Sequence, residues 1–124
     1  MDYDFEGKLP VRIKIGSEVF SVVWWDIHTL VNEKGEELLG QTEPDEHILN
    51  IEREQDVQSL MDTVRHEITH AANKVYGVKD RMTEEDVTDR TTKAWNDIWI
   101  HNPKLVVWFD RAAKHVRKLQ RLKG

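Results

Sequence analysis

The sequence contains no cysteine. Disulfide staples and thiolate metal sites are therefore excluded, and any transition metal has to be held by histidine and carboxylate. No apolar run approaches the length of a membrane span. The opening residues, Met1-Asp2-Tyr3-Asp4-Phe5-Glu6, are acidic and lack the apolar stretch of a signal peptide. Internal repeats and low-complexity linkers are missing too. Positive charge is in the minority, with 18 Lys and Arg against 23 Asp and Glu for a net charge of −5, which gives no global attraction to nucleic acid or an anionic membrane. These absences predict a soluble, cytoplasmic protein with neither membrane nor nucleic acid as partner, and they leave its oligomeric state open.

What is present suffices for one domain over residues 1–124. Hydrophobic residues make up 39% of the chain and include five tryptophans, enough for a modest single core. Residues 1 to 8 read as loose. From Leu9 to Ile15 the pattern alternates, with Val11, Ile13 and Ile15 set against Arg12 and Lys14, as in a half-buried strand. A turn at Gly16-Ser17-Glu18 joins it to a second strand, Val19 to Trp25, predicting a hairpin. The chain turns again at Asn32-Glu33-Lys34-Gly35. Leu38-Leu39-Gly40 reads as a short strand, Thr42 to Glu46 as an acidic loop, and His47 to Glu52 as a last strand. The second half is helical. Gly77 caps one helix, Thr83 starts a second with Glu84, Glu85 and Asp86 in its first turn, and His101-Asn102-Pro103 separates that from a third. The expected fold class is α+β: a small, twisted, mainly antiparallel N-terminal sheet packed on three helices.

The chemistry is concentrated in His66-Glu67-Ile68-Thr69-His70, within a helix predicted from about Gln55 to Tyr76. Histidines four apart stand one turn above each other, so both imidazoles reach one metal ion. Glu67 points to the same side and can reach a metal-bound water without ligating the metal. Val57, Leu60, Met61, Val64, Ile68, Ala71, Ala72 and Val75 form one apolar stripe, and the histidines lie opposite it. Gln58, Asp62, Arg65 and Thr69 make a narrow third strip. A helix needing partners on two sides is sandwiched, as a metal-site helix would be. Zn2+ is the expected cofactor, with Glu67 as general base and a peptide or protein as substrate.

A catalytic zinc usually takes three protein ligands and keeps one position open. The acidic start of the next helix is the place to seek the third. There Glu85-Asp86-Val87-Thr88-Asp89 resembles the second signature of the gluzincin zinc metallopeptidases, with a ligand glutamate followed four residues later by an acid. Together with the HExxH motif at 66–70, the chain resembles the small phage- and bacterium-encoded members of that clan, the minigluzincins. The hairpin, the Leu39-Gly40 strand end and the Asn102-Pro103 break agree with the pattern, which covers most of residues 11 to 110; only the zinc motifs are specific. The resemblance implies a zincin-like fold and a hydrolase in which His66, His70 and Glu85 hold the metal. It makes Asp89 an acceptor orienting a ligand histidine, and the strand at Ile48 to Ile51 an edge for an extended substrate. Periodicity offers Glu84 as the rival to Glu85, since it lies nearer the centre of the apolar stripe.

No oxyanion-stabilising donor is identifiable. His101 lies roughly 24 Å along a continuous helix from Glu85, Tyr76 falls on the polar strip, and His28, His47 and His115 have no supporting context. The basic run from Arg111 to Lys123 reads as the solvated face of the last helix. The second expectation, from another functional class, is a zinc-stabilised accessory or regulatory protein of phage origin without protease activity.

Overall fold

Period-two patterning places side chains in or out, but tertiary contacts decide which strand lies beside which. The computed structural model describes residues 3 to 123. Its four strands are β1 (Arg12–Ile15), β2 (Glu18–Trp25), β3 (Gly40–Glu43) and β4 (Ile48–Glu52), in the sheet order β1-β2-β4-β3. The helices are α1 (Phe5–Lys8), α2 (Val57–Val75), α3 (Glu84–His101) and α4 (Pro103–Lys123). The protein is an α+β fold.

The β1–β2 hairpin forms as patterned, with Ile13 opposite Phe20 and Gly16 supplying the positive φ of the turn, +60°. Three expectations are corrected. Val11 lies outside β1 and is 68% exposed; Leu9 before it is buried, and within β1 the buried residues are Ile13 and Ile15. β3 starts at Gly40 and takes in Thr42 and Glu43, which read locally as loop because the Pro44-Asp45-Glu46 turn follows. Most consequentially, β4 is no edge. It pairs in parallel with β2 on one side and antiparallel with β3 on the other, so Ile48–Ile51 has no free ladder for a substrate, and the free edge belongs to β3. Its burial agrees: Leu49 and Ile51 face the core, while on the other face Asn50 accepts from the Trp25 indole at 2.7 Å and donates to Glu43.

Leu60, Val64, Ile68, Ala71 and Ala72 of α2 pack on Ile13, Ile15, Phe20, Leu49 and Ile51 of the sheet, joined by Ala94, Ile98, Leu105, Trp108 and Phe109. The two alanines, fully buried, let neighbouring backbones approach closely. In α4, Leu105, Trp108, Phe109 and Ala112 are buried, whereas Val106 and Leu119 are exposed. The segment before β1 is tied down as well. Asp4 caps α1 through the Gly7 N–H, and the Phe5 carbonyl accepts the Trp108 indole N–H at 2.7 Å.

Two side chains fix α3 against the hairpin. Asn102, at the helix break, accepts from the Lys14 N–H and donates to the Lys14 carbonyl, both at 2.8 Å, so it occupies the free edge of β1 as a strand partner would. Asp97 accepts from the Gly16 N–H at 2.7 Å and meets His101 at 2.8 Å. Burial alone would raise the Asp97 carboxyl, but the Gly16 N–H, the Tyr76 hydroxyl and His101 together hold it below its ordinary value. Burial and the Asp97 bond raise Tyr76, which thus packs structurally at the end of α2.

Candidate metal centre

α2 runs uninterrupted from its Asp56 N-cap, whose side chain accepts from the Ser59 N–H, to the positive-φ Gly77 after Tyr76. Its apolar stripe is satisfied by the core, and the opposite side carries the motif outward. His66 Nε2 and His70 Nε2 stand 3.0 Å apart. At that distance both cannot bear hydrogen, so at least one offers a lone pair. Two nitrogens on one tetrahedral zinc at 2.0–2.1 Å would stand roughly 3.3 Å apart. The pair is already convergent enough to share a small cation. Both rings are exposed.

Glu67 is different. It is buried at 5% exposure beneath β3. The Thr42 hydroxyl lies 2.9 Å from both the Glu67 carbonyl and Oε1, so one hydroxyl hydrogen serves two acceptors and fixes the side chain to the strand. Oε2 has no hydrogen-bond partner among the described residues, yet it is not sealed from solvent. Gly40 makes this approach possible. A Cβ there would stand 2.8 Å from Glu67 Cγ and from Thr63 Cγ2, and 2.9 Å from Oε2. A carboxylate with one oxygen tethered and the other reachable by water is the geometry a general base needs.

Three clefts meet at His66. One of about 340 Å3 is lined by Gly40, Gln41, Thr42, Pro44, Glu67 and His70 along the β3 edge. A second, also about 340 Å3, extends past Leu39 and Asp62. The third, about 410 Å3, opens on the other side of the histidines among Asp62, Arg65, Thr69, His70 and Asn73. A larger cavity of about 570 Å3 lies elsewhere, around Tyr3, Leu9, Pro10 and Val107. It has no histidine or carboxylate on its walls, so size does not locate the chemistry.

The structure does not bring the acids of α3 to the histidines. The Thr91 hydroxyl donates to Asn73 at 3.4 Å and the Arg65 guanidinium lies over Trp95 and Trp99, so α3 runs antiparallel to α2. Glu85, six residues before Thr91, is therefore about 9 Å further along the axis, away from His70. Glu84 and Glu85 are exposed N-terminal residues of a helix capped by Thr83. Asp89 pairs with Lys93 at 3.0 Å. Among the described residues no three His, Asp or Glu side chains form a metal-holding group. The donor set present fits the two-imidazole half of a zinc site.

The remaining histidines stand apart. His28 pairs with Glu37 at 2.8 Å, a contact that raises its pKa. His47 is a positive-φ turn residue packed on Phe20, and His115 stacks edge-on against Phe5. The side chain the motif could not reveal is Thr42. Its only signal was proximity to Gly40, a small residue ahead of a helix that needed a second partner. No helix is long and apolar enough to cross a membrane among the described residues. Comparison with protein families, curated proteins and solved structures finds no match.

Proposed function

We propose that this protein is a zinc-dependent metallopeptidase in which Glu67 is the general base. The observation that carries this reading is the pairing of a buried, Thr42-tethered carboxylate with two convergent imidazoles on the next exposed face of the same helix. A histidine pair that only faced solvent would not need a glycine-lined slot for the glutamate between them.

His66 and His70 would hold the metal, with Glu85 proposed as the third ligand; for that, the first turn of α3 has to close on His70. When bound, zinc supplies Lewis acidity that polarises a carbonyl and acidifies water. The chain's own groups do the rest. An extended peptide adds to the free edge of β3, between Gly40 and Glu43, and so lies along the cleft beside Glu67. Glu67 takes the proton of the attacking water at Oε2 and passes it to the leaving amine. Thr42 holds the carboxylate in place through both transfers.

Glu67→Gln tests the assignment. The amide keeps the shape and the Thr42 contact but cannot accept a proton, so the variant is expected to retain zinc by elemental analysis and to lose all cleavage of an unfolded test protein. Undiminished cleavage would refute the general-base role. Zinc binding by both forms with cleavage by neither would favour the accessory protein that lacks protease activity.

A further inference from the structure

Arg65 immediately precedes the motif and faces the cleft on the far side of the histidines from β3. Its guanidinium lies 4.9 Å from the Trp95 ring centre and 5.8 Å from those of Trp99 and Phe109. Three rings from α3 and α4 thus hold one cation in place. Stacking uses the faces of a guanidinium and leaves its N–H donors free around the rim. Among the described residues Arg65 makes no ion pair and donates no side-chain hydrogen bond. What sets it apart is the group of three rings around its guanidinium, since the lack of an ion pair is shared with most Lys and Arg side chains of the described residues. Among the described residues only Arg53, Lys74, Lys93 and Lys114 have carboxylate partners. Even Asp62, on the same cleft, does not pair with it.

We propose that Arg65 is a specificity-determining residue of this site, binding a carboxylate of the substrate on the α3 side of the histidine pair. The aromatic cage removes the entropy cost of ordering a long side chain and leaves a planar fork that matches a carboxylate in two parallel hydrogen bonds. A lysine would also be drawn to the rings, but its ammonium lacks the planar fork that pairs with a carboxylate in two parallel hydrogen bonds. The carboxylate is either an acidic side chain near the scissile bond or the free C-terminus of a short peptide. The inference rests on the peptidase reading for its peptide ligand, though not for the anion site itself.

The test uses zinc-loaded Glu67→Gln protein, which binds without turnover, and four versions of one short peptide. They carry Glu or Gln, each with a free or an amidated C-terminus. Calorimetry is expected to show tenfold to hundredfold tighter binding of one carboxylate-bearing pair over its neutral counterpart; which pair is preferred identifies the source. Adding Arg65→Gln is expected to bring that ratio to about one, and Arg65→Lys, which keeps charge but not the fork, to leave a reduced preference. A purely structural role for Arg65 would weaken all four peptides alike. Equal affinity for acid and amide, no binding of any peptide, or an unchanged ratio in Arg65→Gln each overturns the proposal. A carboxylate preference in a protein whose wild type cleaves none of the four peptides would leave the anion site standing and remove the peptidase.

Discussion

The two sides of the His66–His70 pair are built to different standards. Toward β3, every feature is fixed: Glu67 is buried, Thr42 tethers it, and Gly40 is shaped around it. Toward α3, the cleft is open, the cation at its wall is unpaired, and the acids of the first turn of α3 lie beyond the end of the pair. On the proposed reading, the fixed side would place a base within hydrogen-bond reach of a water, a task that tolerates no slack. On that reading, the open side is where α3 would close on the metal and where Arg65 would meet a substrate carboxylate.

The largest expected effect breaks both sides at once. His70→Ala removes one of two convergent donors and should abolish zinc retention after dialysis, measured by elemental analysis, and with it the thermal stabilisation that zinc confers. Stoichiometric zinc in the His66/His70 double alanine variant would remove the site altogether. Next comes the comparison itself. If α3 closes when zinc binds, Glu85→Ala should weaken zinc by orders of magnitude, whereas Glu84→Ala should cost only a few tenths of a kcal/mol as a lost helix-dipole contact. Competition against a chromogenic chelator reads both. Equal and small effects would leave the open side open and seat the third ligand elsewhere; damage from Glu84→Ala alone would move the assignment back one residue.

Gly40→Ala probes the fixed side. Its methyl would fall 2.8 Å from Glu67 Cγ and Thr63 Cγ2, so strand and helix must part. A loss of about 1–3 kcal/mol is expected from denaturant melts, with cleavage falling by more than stability does. A variant as stable and active as wild type would show that the β3 side is looser than it stands here.

Asp97→Asn tests what holds α3 in its present register. Because the folded protein keeps the Asp97 carboxyl below its ordinary value, its contribution is present above about pH 3.9 and disappears as pH falls through the lower folded value. The variant should be roughly 1–2 kcal/mol less stable at neutral pH, with the deficit shrinking in acid. A deficit independent of pH would assign the effect to packing, not to the charge.

Much of the candidate site was legible because it rests on one helix. A 3.6-residue period places His66, Glu67 and His70 relative to one another whatever surrounds them, and Gly77 and Thr83 mark helix ends by local backbone chemistry alone, whereas the Asp56 cap that starts α2 was not read. The hairpin was equally local, since turn and alternation lie within fourteen residues, 12 to 25. The remainder depended on neighbours distant in sequence. Nothing in Ile48-Leu49-Asn50-Ile51 distinguishes a strand paired on both sides from one at an edge, because alternation records burial and not hydrogen-bonding partners. Thr42 lies 25 residues from Glu67, and only the insertion of β4 between β2 and β3 brings them together. Arg65 reads as one polar residue on a helix until α3 and α4 set three aromatic rings beneath it. The amino-acid sequence by itself determined the helix that carries the chemistry and the spacing of its imidazoles, since both follow from backbone geometry within one element. That Glu67 is buried, that β3 offers a free edge and that Arg65 lies against three aromatic rings were decided only by tertiary structure, because burial and pairing are relations between elements and no local pattern encodes them.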